Sequence, residues 1–194
     1  GNPQVYLSET FMELEKLPKK LVIIGGGYIG LEFSSMYSGF GSEVTVIQNE
    51  ARLIPREDED IASEIQKVME EKGVKFVIGA AISGIRKEGD WSYVHYSVDG
   101  KEGDLEADAI LVATGRRPNT AGLNLEAAGV ELTARGGVKV DDGYKTTAPN
   151  IWAMGDVAGG LQFTYVSLDD FRIVWSSLHG GAYDANAGKR SHIP

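Results

Sequence analysis

The chain has 194 residues, of which 42% are hydrophobic and 24% are charged, and its formal net charge is −9. This composition is typical of a globular protein, and no apolar run is long enough to span a membrane. Because this net negative charge repels phosphates, it argues against a nucleic acid or an anionic membrane surface as a partner. The lack of cysteine excludes structural disulfides and zinc–thiolate centres. His95, His179 and His192 lack metal-ligand spacing, so we expect no metal site.

The first 18 residues are predicted to form an extended lead-in and linker, which Pro18 separates from the first strand. An apolar run then ends on Gly25, and Gly25, Gly27 and Gly30 have G-x-G-x-x-G spacing. In dinucleotide-binding loops the first glycine permits a tight turn and the second lets a pyrophosphate approach the backbone. The third glycine lets the following helix pack closely on the sheet. The spacing therefore predicts a phosphate-binding loop at a helix N-terminus.

The residues after this loop supply the context that the motif requires. Apolar residues at helical spacing predict an amphipathic helix. Its predicted apolar face contains Ile29, Phe33, Met36, Tyr37 and Phe40. Ser34 is small enough for a close helix–strand contact, Gly39 and Gly41 are predicted to end the helix, and residues 44–47 form the second predicted strand.

A second helix is predicted to begin at the acidic residues 58–60 and to end at Gly73. Its predicted apolar face contains Ile61, Ile65, Val68 and Met69. Because acidic side chains are favourable at a helix N-terminus, we interpret residues 58–60 as a helix start rather than a metal site. Residues 74–78 are predicted to form a third strand, parallel to the others.

The next segment changes to the alternation of antiparallel strands. Residues 82–86 and 91–98, with a turn at Asp99 and Gly100, predict a β-meander, and residues 105–114 predict one further apolar strand. The expected fold class is therefore α/β: a Rossmann-type doubly wound parallel sheet with an antiparallel β-meander insertion.

Beyond residue 116, Gly, Asn and Pro become frequent. Short strands are predicted at 138–140 and 151–154, followed by a last helix through residues 171–178. No closing element follows this helix, so we expect the second region to be incomplete.

Three motifs stand in order along the chain: the glycine loop at 25–30, Ala-Thr-Gly-Arg-Arg-Pro-Asn at 113–119, and Asn-Ile-Trp-Ala-Met-Gly-Asp-Val at 150–157. Together they resemble the pyridine nucleotide–disulfide oxidoreductases, which include dihydrolipoamide dehydrogenase, glutathione reductase and mercuric reductase. Residues 159–174 are similar to a mercuric-reductase-like subgroup that includes reactive-chlorine-resistance flavoproteins. The resemblance implies an NAD(P)-binding domain with its N-terminal linker at 1–117, and an incomplete second segment of a split FAD-binding domain at 118–194.

The family's layout has an FAD domain split by the NAD(P) domain, followed by a C-terminal dimerisation domain. The resemblance thus implies a central fragment of a bacterial cytoplasmic homodimer, without the redox cysteines. It implies a parent enzyme that passes hydride from NAD(P)H to FAD and on to a disulfide, metal ion or oxidant. The fragment alone is expected to be inactive, with a small-molecule nucleotide as its partner.

The resemblance also implies residue roles at the nicotinamide nucleotide. Gly25, Gly27 and Gly30, with Ile29 beside them, would bind the pyrophosphate. Tyr28 matches a tyrosine that covers the flavin until nicotinamide displaces it, although a structural aromatic residue at the helix start is the alternative. Glu32 matches an acid near the nicotinamide and is the second predicted catalytic residue.

Cofactor choice is expected at the end of the second strand, at Gln48 and Asn49. NADH-using relatives often carry glutamate at the position of Gln48, and NADPH-using relatives carry arginine. An amide gives a 2′-phosphate no charge compensation and Glu50 would repel it, while Arg52 and Arg56 could reach it. NADH is therefore favoured over NADPH.

In the second region, Gly115 and Arg116 match the family's crossover back to the FAD domain. Asp156 matches an aspartate that accepts a hydrogen bond from the FAD ribityl chain, with Gly155 allowing close approach. Thr164 matches the start of a helix whose N–H groups face the flavin in the family. Phe163 is the remaining predicted cofactor-binding residue, although Phe163 and Tyr165 fit either a flavin pocket or the protein core.

Two other functions stay open. One is an NADH oxidase or ferredoxin-reductase-like flavoprotein, which the position of the parent's cysteine would distinguish. The other is a non-catalytic dinucleotide sensor, for which a flavin ribityl contact at Gly155 and Asp156 would serve no purpose.

Overall fold

The structure, a computed structural model, describes residues 1–181; His192 and the end of the second predicted region lie outside the described residues. The chain forms two compact units, residues 1–115 and residues from 116 onward. In the first unit the strands are β1 (Val5–Tyr6), β2 (Lys20–Ile24), β3 (Glu43–Gln48), β4 (Lys75–Ile78), β5 (Ala81–Glu88), β6 (Trp91–Val98), β7 (Lys101–Ala107) and β8 (Ala109–Val112). Its helices are α1 (Ser8–Phe11), α2 (Tyr28–Phe40) and α3 (Glu59–Glu71).

Five strands form a parallel sheet in the order β1-β8-β2-β3-β4. From β2 the chain continues to β3 on one side, while β8 lies on the other side, so the carboxyl end of β2 is a topological switch point. The predicted α/β fold with a Rossmann-type sheet and a small antiparallel sheet is confirmed.

Alternate side chains of β2 enter two different cores, as the period of a strand requires. Leu21 and Ile23 pack with α1, α2 and α3 on one face. Val22 and Ile24 pack on the other face against β6 and β7 of the antiparallel meander, whose order is β5-β6-β7. The meander thus occupies the face that a crossover helix covers in a doubly wound sheet.

The prediction of an extended linker over residues 1–18 is wrong at α1, and the segment packs into the fold as far as Phe11. Val5–Tyr6 pairs with β8 as an edge strand, and α1 follows it. Phe11, at the end of α1, is fully buried and contacts the rings of Tyr6 and Tyr37. A four-residue helix is too short to show a periodicity, which explains the error.

The predicted single strand at 105–114 is also wrong, because the segment belongs to two sheets. Ala107 ends β7 in the meander and Ala109 begins β8 in the parallel sheet. Asp108 lies between them. Its carboxylate oxygens accept hydrogen bonds from the Lys19 and Lys20 N–H groups, both at 2.9 Å, and its own N–H donates to the Lys20 carbonyl. These bonds turn the chain from one sheet into the other.

The helices α2 and α3 end at the glycines predicted to end them, except that Gly39 does not end α2. Gly41 (φ +98°) and Gly73 (φ +86°) adopt the left-handed conformation that ends α2 and α3. Gly39, predicted to end the first of these helices, lies inside α2. Several residues of the two predicted apolar faces are exposed rather than buried: Met36, Phe40, Ile61 and Val68.

The second unit contains little regular structure before its helix α4 (Thr164–His179). The strands predicted at 138–140 and 151–154 are only isolated bridges, among them Val140 with Thr146 and Lys145 with Trp152. A small core of Val130, Val138 and Ala148 lies beneath them. No helix within residues 1–181 combines the length and apolarity needed to cross a membrane.

Candidate functional site

The glycine loop lies at the carboxyl end of β2, at the switch point of the sheet. Gly25 has φ +113°, and its N–H donates to the Ile47 carbonyl at 2.9 Å. A Cβ added to Gly25 would lie 2.5 Å from the carbonyl oxygen of Ala113, at the end of β8. Because both the φ angle and the neighbouring backbone reject a side chain, only glycine fits this turn.

Gly30, in the first turn of α2, is equally constrained. A Cβ there would lie 2.0 Å from the Gly25 carbonyl oxygen. The helix therefore packs directly on the turn that precedes it, as predicted for the third glycine of the motif.

Gly27 differs from both, because no atom of the described chain lies within 4 Å of its added Cβ. It is the N-cap of α2, and the Leu31 N–H donates to its carbonyl at 3.0 Å. The N–H groups of Ile29 and Gly30 lie in the first turn of α2. The N–H groups of a helix's first turn lack intrahelical acceptors. The open space at Gly27 thus adjoins the positive end of the helix dipole, which suits a phosphate.

Gln48, predicted to contact the nucleotide, is only 5% exposed and is bound within the protein. Its Oε1 accepts a hydrogen bond from the Gly26 N–H at 3.0 Å, and its Nε2 donates to the Arg52 carbonyl at 3.3 Å. The next residues, Asn49 and Glu50, are exposed. The sequence pattern predicts a nucleotide contact for Gln48 and carries no signal for these bonds.

The two predicted catalytic residues occupy the outer side of α2. Tyr28 is 44% exposed, and its hydroxyl donates to the Glu57 carboxylate in the loop before α3. Glu32 is exposed one turn later, while Ile29 is half-buried against the core beneath the helix. Glu57, which holds the Tyr28 ring in place, had no signal in the sequence.

In the second unit, Gly155 begins a 3-10 turn (Gly155–Ala158) with φ +71°. A Cβ there would lie 2.4 Å from Ser167 Oγ. The Gly155 N–H donates at 2.8 Å to the carboxylate of Asp170, which is 3% exposed and also accepts a 2.7 Å bond from the Tyr144 hydroxyl. Asp170 was not among the residues predicted from the sequence, although it lies on the buried face of α4 between Val166 and Ile173.

The other predicted residues of this unit lie at its surface. Asp156 and Arg116 form an ion pair at 3.6 Å, with side chains about half exposed. Gly115, the residue before Arg116 and the last of the first unit, has φ +128°. Thr164 is exposed at the first position of α4, and Phe163 before it stacks on Tyr165 with ring centroids 5.3 Å apart. An exposed carboxylate and an exposed helix N-terminus are thus both available in this unit.

The resolved pKa shifts do not fall on the glycine loop. Glu106 accepts hydrogen bonds from Lys20 and Tyr93, which lower the pKa of its carboxyl below the ordinary value. The same bonds to Glu106 raise the pKa values of Lys20 and Tyr93. This cluster joins β2 to the meander and is structural.

A comparison with protein families matches residues 2–170 to the pyridine nucleotide-disulphide oxidoreductases. The chain is 46% identical over 189 residues, 97% of its length, to the probable pyridine nucleotide-disulfide oxidoreductase RclA of Escherichia coli (strain K12), of which it covers 41%. It is 44% identical over 177 residues to a mercuric reductase of Bacillus cereus, covering 91% of this chain and 28% of that protein.

Among solved structures, the HOCl-induced flavoprotein disulfide reductase RclA from Escherichia coli matches with a TM-score of 0.89 and 44% identity. This match covers 98% of the chain and 42% of that structure's chain. The chain therefore spans about two-fifths or less of the length of these relatives.

Proposed function

We propose that this chain, which belongs to the pyridine nucleotide-disulphide oxidoreductase family, binds NAD(P)H at the glycine loop of its first unit. The contrast among the three glycines carries the proposal. Gly25 and Gly30 are closed in by backbone at 2.5 and 2.0 Å, whereas Gly27 opens on free space. Space at the second glycine alone, beside a helix N-terminus, is what a pyrophosphate requires.

We further propose that the second unit supplies part of a flavin site in a longer oxidoreductase. The Asp156 carboxylate is exposed and can accept hydrogen bonds from flavin hydroxyl groups. The N-terminus of α4 at Thr164 offers N–H groups that favour negative charge. FAD, when bound, supplies the redox chemistry. The residues of this chain bind and orient the cofactors, and Tyr28 and Glu32 lie on the outer side of α2, where nicotinamide would be placed.

NADH is the favoured nucleotide within this proposal. Gln48 is neutral and bound within the protein, so it offers no charge to a 2′-phosphate. The exposed Glu50 would repel that phosphate. Arg52 could supply a positive charge, but its guanidinium donates to the Pro55 carbonyl at 3.0 Å.

The test is a titration of the full chain with NADH, followed by nucleotide fluorescence, for the wild type and two glycine variants. Gly27→Ala places a methyl group in the open space, so NADH affinity should fall at least about tenfold, equal to about 1.4 kcal/mol. The thermal midpoint should change little because that methyl group meets no protein atom.

The matched control is Gly39→Ala, in the same helix, where an added Cβ also meets no atom within 4 Å. This variant should bind NADH like the wild type. If Gly27→Ala also bound NADH with unchanged affinity, the pyrophosphate would lie elsewhere and the proposal would be wrong.

A further inference from the structure

Both backbone polar groups of Gly26 are hydrogen-bonded to residues at the end of β3 or in the loop that follows it. Its N–H donates to Gln48 Oε1 at 3.0 Å, and its carbonyl accepts from the Ile54 N–H at 2.9 Å. Neither group is left to face a ligand. The loop between Gly25 and Gly27 is thus oriented by Gln48 and Ile54, which follow Gly26 by 22 and 28 positions in the sequence.

Gln48 is itself fixed at several points. Its carbonyl accepts from the Ala80 N–H at 2.9 Å, and its Nε2 donates to the Arg52 carbonyl. It is 5% exposed, so its amide is shielded from solvent and its bonds are strengthened by the low local dielectric.

Close packing around Gly26 adds to these hydrogen bonds. A Cβ at Gly26 would lie 2.5 Å from the Leu53 side chain and 3.4 Å from Gln48 Cβ. Leu53 and Ile54 are 1% and 4% exposed. The buried side chains of Gln48 and Leu53 therefore pack against Gly26 of the glycine loop.

We propose that Gln48 is a positioning residue, whose side-chain amide holds the Gly26 peptide and so aligns the glycine loop for the dinucleotide, and that it does not bind the ribose. This inference rests on the proposed function of the loop. It assigns nucleotide discrimination to exposed neighbours such as Asn49 and Glu50, and it replaces the ribose contact that the sequence predicts for Gln48.

Gln48→Met separates the two roles, because methionine has a similar length, no charge and no amide. A positioning role predicts that NADH and NADPH lose affinity by the same factor, roughly three- to tenfold, since both carry the same pyrophosphate. A ribose contact predicts a selective loss of NADH, because NADPH carries a phosphate in place of the 2′-hydroxyl.

The second measurement is amide hydrogen exchange at Gly26 in the nucleotide-free full chain. Exchange should accelerate about tenfold or more in Gln48→Met, which lacks the acceptor. Gln48→Glu keeps an acceptor oxygen for the Gly26 N–H, although it loses the donor to the Arg52 carbonyl, and should retain protection at Gly26. This rescue would not follow from a general loss of stability. Gln48→Leu, which also lacks the amide, serves if Gln48→Met does not fold. Gln66→Met, at a half-buried glutamine of α3, is the matched control and should change neither measurement.

A loss of NADH affinity alone in Gln48→Met, or unchanged Gly26 exchange in that variant, would overturn the inference. If the wild-type chain binds neither nucleotide, the proposed function fails. The exchange at Gly26 still decides whether Gln48 holds the loop, so the two failures are distinguishable.

Discussion

Gly30→Ala is expected to destabilise the first unit strongly, although alanine is the better helix former. The added Cβ would lie 2.0 Å from the Gly25 carbonyl oxygen, at least 1.0 Å inside the 3.0 Å that real Cβ contacts respect. The obstacle is backbone of the β2–α2 turn, which cannot rotate away. Overpacking of this kind costs about 3 kcal/mol, and the helix preference of alanine returns about 1 kcal/mol. The net loss should be about 2 kcal/mol.

Thermal unfolding followed by circular dichroism measures this loss. At about 4 °C per kcal/mol for a unit of this size, the midpoint should fall by roughly 8 °C. Gly39→Ala, in the same helix with open space around its Cβ, should instead raise stability by about 0.5–1 kcal/mol. A Gly30→Ala protein as stable as the wild type would refute the close approach of α2 to the Gly25 turn.

Three further predictions concern polar contacts. Asp170→Asn leaves one neutral acceptor oxygen where the Gly155 N–H and the Tyr144 hydroxyl each donate to a carboxylate oxygen, and it should cost about 1–3 kcal/mol in denaturant unfolding. The exposed variant Asp142→Asn should stay within about 0.5 kcal/mol, and equal effects of the two changes would contradict the buried contact. Asp108→Ala removes the acceptor of two backbone N–H groups and should lower the free energy of unfolding by about 1–2 kcal/mol. An unchanged free energy of unfolding would show that the turn between β7 and β8 forms without this carboxylate. Hydrogen bonds from Lys20 and then Tyr93 lower the pKa of Glu106 below its ordinary 4.5, so its stabilising contribution is complete above that pH and is lost as pH falls through the lowered pKa. Unfolding of Glu106→Gln should therefore depend less on pH in the acid range than wild-type unfolding, and identical acid limbs would be inconsistent with the shift.

Features encoded over a few residues were predictable from the sequence. The G-x-G-x-x-G spacing identified three glycines with distinct steric demands, and period-2 alternation identified β6 with its observed bounds, Trp91–Val98. Both signals are local and need no knowledge of distant neighbours. The same dependence on local pattern explains the errors, since neither α1 nor the break at Asp108 produces a pattern of its own.

The local sequence pattern could not predict the hydrogen bonds of the two buried polar side chains at the glycine turns, Gln48 and Asp170. Gln48 lies 22 residues from Gly26, and Asp170 lies 15 residues from Gly155. In both cases a polar group interrupts an apolar series: Gln48 follows the buried Val46 and Ile47, and Asp170 occupies the stripe of Val166 and Ile173. Since buried polar groups are hydrogen-bonded, such an interruption indicates that a hydrogen-bond donor from another part of the chain lies beside it. It cannot say which donor, because that depends on how the sheet and turns bring distant segments together. The glycines thus mark where the backbone can bend, and these two buried side chains bind the backbone N–H groups at those bends.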